Sequence, residues 1–169
     1  YTTAEEDETY IRETAYISRA GMIELHFNPR EDPDRQRRMA LLSLGTPGNT
    51  NTLFRFGVEG RVYADIMTGE WDNVGLFSDP LATEEWHSLR LYYGPEGSVL
   101  VVDGKIHDYS IDYSIPWSHG KSTVAYIGDR PYYSVRRREG FFRNGDNFRG
   151  SMDNLAFIRL KPEEEEKSK

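Results

Sequence analysis

Apolar residues in this chain recur with a period of two or in short unbroken runs, and a helical period is almost missing. Ile23, Leu25 and Phe27 alternate with Met22, Glu24 and His26. Phe54, Phe56 and Val58 alternate with Arg55 and Gly57, and Val62, Ala64 and Ile66 alternate with Arg61, Tyr63 and Asp65. Further strand-like runs cover 86–93, 98–102, 122–127 and 152–160. A period of two sends successive side chains to opposite faces of a sheet, so each run predicts a strand with one buried face. Turn formers separate the runs: Pro29, Pro47 to Asn49, Glu59-Gly60, Pro95 to Gly97, Asp103-Gly104, and Pro116 to Gly120. Asp103-Gly104, between Ser98–Val102 and Lys105–Tyr109, predicts a two-residue hairpin, because a type I′ turn needs positive φ at both central residues. Many short strands at this spacing predict a sandwich or a barrel. No repeat of 20–50 residues is present.

The chain has 169 residues, the length of one domain, and needs no covalent staple. It has no cysteine, which excludes disulfides and thiolate metal sites. Its net charge of −7 argues against a general nucleic-acid binder, since neutralising phosphates needs a basic surface. No run approaches the ~18 apolar residues of a membrane span, so membrane insertion is not expected. Residues 1–13 carry five acids and one base, and the tail KPEEEEKSK at 161–169 is expected to be disordered. One folded domain over 1–160 followed by that tail is the expected organisation. The chain starts at Tyr1 and not at Met, as expected of a processed or cut chain from which a signal peptide has been removed or which never showed one.

Four segments, in order, resemble the laminin-G-like, concanavalin-A-like jelly-roll superfamily. They are Gly21–Pro29, Leu41–Gly45, Trp86–Lys105, and Tyr126–Gly128 with Phe148–Ile158. The resemblance implies an all-β, two-sheet antiparallel β-sandwich, a jelly roll. It also implies that Trp86 belongs to the core. Val101-Val102 stands where the family usually has Tyr before Asp-Gly, and the 129–147 segment is long. A long insertion in such a frame is where specificity is placed. Gly150 is expected to let the chain bend before the last strand.

That segment is rich in chemistry. Residues 129–149 hold six arginines against three acids, and Tyr132, Tyr133, Phe141, Phe142 and Phe148 lie among them. Arg offers planar bidentate donors to carboxylate, sulfate or phosphate, and Tyr offers a flat apolar face with a polar tip. Two readings are open. In one, Tyr132, Tyr133, Arg136, Arg137 and Arg138 recognise an anionic glycan or an acidic protein surface. In the other, the phenylalanines cover the sandwich end and the arginines answer the acidic termini. Trp71 and Trp117, in loop sequence, are either sugar-stacking platforms or core-capping indoles.

Glu70-Trp71-Asp72 gives two carboxylates of the three that related sandwich glucanases show, and the third is missing. Retaining hydrolysis needs two carboxyl groups ~5–5.5 Å apart, so no catalytic residue is assigned and a glycosidase is disfavoured. The histidines show no metal-ligand spacing. The resemblance brings in Ca2+, which relatives often hold at the sandwich edge; Asp153 is then either a ligand or a structural hydrogen-bond acceptor, with Asp72, Asp79, Asp129 and Asp146 as loop alternatives. The expectation is a non-catalytic domain, secreted, periplasmic or on the cell surface. It would bind carbohydrate or, in an adhesive or structural role, other proteins.

Overall fold

The computed structural model describes residues 20–30, 39–46, 49–67, 73–111, 124–128 and 148–160. Among them are ten strands, one 3-10 turn at Val58–Gly60, and no α-helix. No helix among the described residues is long and apolar enough to cross a membrane. The strands are β1 (Gly21–Pro29), β2 (Met39–Thr46), β3 (Asn49–Phe56), β4 (Val62–Met67), β5 (Asn73–Phe77), β6 (His87–Gly94), β7 (Gly97–Val102), β8 (Lys105–Ser110), β9 (Val124–Ile127) and β10 (Gly150–Arg159). They form two five-stranded sheets, ordered β10-β1-β6-β7-β8 and β5-β4-β3-β2-β9, and every pair is antiparallel. The two-sheet sandwich that the resemblance implies, one of the two architectures the alternation left open, is the observed one.

The alternation sets the core. Ile23, Leu25 and Phe27 of β1 point inward with Leu89, Leu91 and Tyr93 of β6 and Leu100 and Val102 of β7. They meet Phe54, Phe56, Val62, Ala64, Ile66 and Leu76 of the second sheet. Each fully buried Leu, Ile, Val or Phe contributes ~1.5–3 kcal/mol by leaving water. Phe27 lies among aromatic neighbours, with ring centroids 5.9 Å from Phe56 and 6.2 Å from Phe148.

The Asp103-Gly104 turn has the predicted geometry, with φ of 51° and 75°. Asp103 does more than turn the chain. Its Oδ1 accepts the Ser88 N–H at 2.8 Å, and its Oδ2 lies 2.7 Å from Nδ1 of the buried His87. Nε2 of His87 faces the Ala82 carbonyl at 2.8 Å. Both ring nitrogens thus face acceptors, which is how a polar ring is tolerated beside Phe27.

Two expectations need correction. Trp86 is 55% exposed and is not in the core. In the register, His87 pairs with the inward-facing Phe27 and takes the buried position, while Trp86, one residue before β6, is left exposed. Gly150 has no positive φ; it opens β10 opposite Pro29, and a Cβ there would collide with the Asn28 carbonyl oxygen and press on the Phe148 ring. Close approach of backbones, not a bend, requires glycine there.

The β8 and β5 edges close one side of the sandwich with polar bonds. The Phe77 N–H donates to Asp108 Oδ2 at 3.0 Å, the Asp79 N–H to His107 Nδ1 at 3.0 Å, and Lys105 Nζ to Asp79 Oδ2 at 2.8 Å. These bonds leave one broad outward face on the β10-β1-β6-β7-β8 sheet.

Candidate functional site

An antiparallel sheet with one solvated face should read polar on that face. Here the outer face departs from the rule. The registers align Ile158 with Met22, Met22 with Tyr92, Tyr92 with Val99, and Val99 with Tyr109. One apolar and aromatic row thus crosses all five strands in water. Tyr109 is 68% exposed, and Met22, Tyr92 and Val99 are half-buried. A neighbouring row, two residues along in four strands and three in β8, where the register shifts, runs Ala156, Glu24, Arg90, Val101 and Ile106. Ile106 is 64% exposed. Exposed apolar residues that line up in this way mark binding surfaces.

Polar groups are held inside this frame. Arg90 donates from Nε and Nη2 to Glu24 Oε1 at 2.9 and 2.8 Å. That guanidinium is the main reason the Glu24 carboxyl titrates below its ordinary value, and Glu24 in turn raises Arg90. His26 Nε2 lies 3.5 Å from the same Glu24 oxygen, and its Nδ1 lies 3.2 Å from Asn154 Nδ2. Trp86 stands at the β6 start and the Tyr92–Tyr109 row near its end. The six residue steps from Trp86 to Tyr92 span ~20 Å at strand rise.

Asn154 reaches His26 through an irregularity in β10. Glu24 pairs with Ala156 and His26 with Asp153, so two β10 residues, Asn154 and Leu155, stand opposite Leu25 alone. Asn154 has φ of 53°. The Asp153 Oδ1 accepts the Asn154 N–H at 2.7 Å and steadies the bulge. Bulges of this kind re-aim side chains, and a left-handed non-glycine residue is tolerated where its surroundings over-determine it. Asp153 thus acts as a hydrogen-bond acceptor within β10, Asp79 is held by Lys105, and among the described residues no three His, Cys, Asp or Glu side chains gather.

Tyr132, Tyr133, Arg136, Arg137, Arg138, Trp71 and Trp117 lie outside the described residues, as do Glu70, Asp72, Asp129 and Asp146. Their flanking residues are described. Gly128 donates to the Leu41 carbonyl at 2.9 Å, and Phe148 donates to the Gly128 carbonyl at 2.9 Å. The 129–147 segment therefore leaves and rejoins the sandwich at the end where Met39 pairs with Phe56. Met67 and Asn73, which flank Trp71, pair at the opposite end, and Val124, which follows the Trp117 segment, pairs with Gly45 there. The described flanks Gly128 and Phe148 thus stand at the end of the β5-β4-β3-β2-β9 sheet opposite to Met67, Asn73 and Val124. Phe148, half-buried against Phe27, takes the sandwich-covering role that the sequence left open.

No family model matches the sequence, and no curated protein matches it. Solved structures do. The CBM40 domain of the Ruminococcus gnavus IT-sialidase, bound to α2,3-sialyllactose, superposes with a TM-score of 0.61 at 14% identity, over 88% of this chain and 80% of that one. Domains LG4-5 of the mouse laminin α1 chain give 0.57 at 19% identity, over 82% of this chain and 34% of that one. The heptameric SAP-like pentraxin of Limulus polyphemus gives 0.56 at 12% identity, over 85% and 66%. The fold is the concanavalin-A-like jelly roll. The chain spans about a third of the laminin chain's length and just under two thirds of the pentraxin's.

In this jelly roll, sequence reasoning missed the outer-face site. The signal was present in Ser98–Val102, where Val99 and Val101 make an unbroken apolar run in place of alternation. In Leu89–Tyr93, Arg90 and Tyr92 are likewise the outward members.

Proposed function

We propose that this jelly roll is a non-catalytic carbohydrate-binding domain, exported from the cell, that holds glycan on the outer face of the β10-β1-β6-β7-β8 sheet. The observation that carries this is the Glu24–Arg90 pair, fixed between exposed Trp86 and the Tyr92–Tyr109 row. A sugar ring has an apolar face edged by hydroxyls. Flat indole and phenol faces take the former, and a paired carboxylate and guanidinium with spare lone pairs and N–H groups take the latter. The Ruminococcus gnavus domain, bound to an oligosaccharide on the same fold, supports carbohydrate as the ligand and not the charge of that ligand. The tyrosine-arginine segment remains a second contact region in this proposal, and the face does not depend on it.

The exposed Ile106 and Ile158 favour a competing role, docking of another protein on the same face. Substituting Trp86→Ala and Tyr109→Ala separately, with glycan-array and calorimetric titration as readouts, decides between them. Each substitution is expected to weaken glycan binding by tenfold or more while changing stability by no more than ~0.5 kcal/mol, because both side chains are exposed. A blank array, together with one stoichiometric protein partner lost on Tyr109→Ala, overturns the glycan role in favour of docking.

A further inference from the structure

We infer that the outer face selects neutral oligosaccharides and turns acidic ones away. Among the described residues, Arg90 is the only Arg or Lys that the strand alternation places on this face. Two of its nitrogens are committed to Glu24 Oε1. A ligand carboxylate or sulfate arriving here meets a guanidinium already neutralised, with the Glu24 carboxylate in between. Asp153, opposite His26 in the register, adds a second negative group to the same side. His26 stands on the same face, its Nε2 3.5 Å from Glu24 Oε1 and its Nδ1 3.2 Å from Asn154 Nδ2.

The hydrogen-bonding groups that remain suit hydroxyls. Asn154, His26, Glu24 and Arg90 form a continuous chain across β10, β1 and β6 in which donors and acceptors are both present. A hydroxyl can donate and accept at once, whereas a carboxylate only accepts. The strained Asn154 holds one end of that chain, which is a reason for the bulge to exist. The ~20 Å between Trp86 and Tyr92 along β6 suits a run of sugar rings better than a single ring. The Arg136 to Arg138 cluster suits an anionic ligand by its composition, so the two regions would read different chemistry.

The inference rests on the glycan-binding role proposed above, and matched ligands separate the two. The full chain is screened on an array carrying neutral and acidic glycans. It is then titrated with β-1,4-linked hexasaccharides of mannose and glucose and with their uronate counterparts, which differ only in carrying carboxylates. Neutral chains are expected to bind at least tenfold tighter than uronates in moderate salt. Glu24→Gln frees Arg90, and it is expected to shrink that ratio by raising uronate affinity, without loss of the folded circular-dichroism spectrum. Equal or tighter binding of uronates by the unaltered protein, abolished by Trp86→Ala, overturns neutral selectivity and leaves the glycan role standing. Selectivity unchanged in Glu24→Gln also overturns it. No binding to any glycan on the array overturns both.

Discussion

The two faces of the β10-β1-β6-β7-β8 sheet are built from alternate residues of the same strands, and they do opposite things. Inward, Ile23, Leu25, Phe27, Leu89, Leu91 and Leu100 are sealed from water by the second sheet. Outward, Met22, Tyr92, Val99 and Tyr109 form an equally ordered row with nothing among the described strands laid over it. Both rows are apolar, so hydrophobicity alone does not tell core from site. The difference lies in the company each row keeps. The inner row borders His87, whose two ring nitrogens are both engaged. The outer row borders an ion pair and exposed aromatics, which leave directional groups available to a partner. An apolar row that is packed contributes stability; one that is left open is a surface waiting for a ligand.

The largest effect expected from breaking this symmetry is at Phe27. It is fully buried and packs against Phe56, His87 and Phe148. Phe27→Ala leaves a cavity between the sheets and is expected to cost about 3–5 kcal/mol, read from the midpoint of urea unfolding. A cost below about 1 kcal/mol would mean that the inner face is as loosely held as the outer one. Trp86→Ala, one residue before β6 at an exposed position, is the contrasting substitution: little stability lost, binding lost.

Sequence made the inner face legible and the outer one almost invisible. β1 contains the whole alternation read over Met22–Phe27, and Asp103-Gly104 forms the predicted turn, because both features are local. The outer row is not local. Ile158, Met22, Tyr92, Val99 and Tyr109 are scattered over the chain, and only the register brings them into line. β5 was missed for a different reason. Asn73–Phe77 is short and carries Gly75 at its centre, and only Leu76 of it is fully buried, so its alternation is too brief to show. The resemblance implies a core position for Trp86, an aromatic that opens an apolar run. The register gave that position to His87, and a histidine takes it only because Asp103 and Ala82 supply both acceptors. The loop residues singled out for recognition fall outside the described residues, and what the structure adds is where their stems stand.

Acid–base titration sharpens the comparison further, because each face carries a displaced group of opposite kind. Tyr93 lies on the inner face, and burial pushes its phenol up from 10.0 to about 12. The folded state therefore keeps its proton where the unfolded chain has lost it. Stability is fully present below pH 10 and is lost as pH rises from there through about 12. At 1.36 kcal/mol per unit, the loss is at most ~2.7 kcal/mol. Tyr93→Phe is expected to flatten that alkaline limb in a chemical-denaturation series across pH. An unchanged limb would place the loss elsewhere.

On the outer face the sign reverses. Arg90 holds Glu24 as the carboxylate, so the folded pKa lies below 4.5. The stabilisation is present above pH 4.5 and is lost as pH falls through the lowered folded value. The pair is partly exposed and screened, so the loss is expected to be below about 1 kcal/mol. Salt separates the two limbs. Raising the ionic strength from 0.1 to 1 M shortens the screening length from ~10 to ~3 Å. It should therefore shrink the acid limb that Glu24→Gln removes and leave the Tyr93 limb in place, since that one comes from burial and not from a neighbouring charge. An acid limb insensitive to salt would mean that Glu24 and Arg90 are shut away from water. In that case the outer face would be covered, and no ligand could reach the pair.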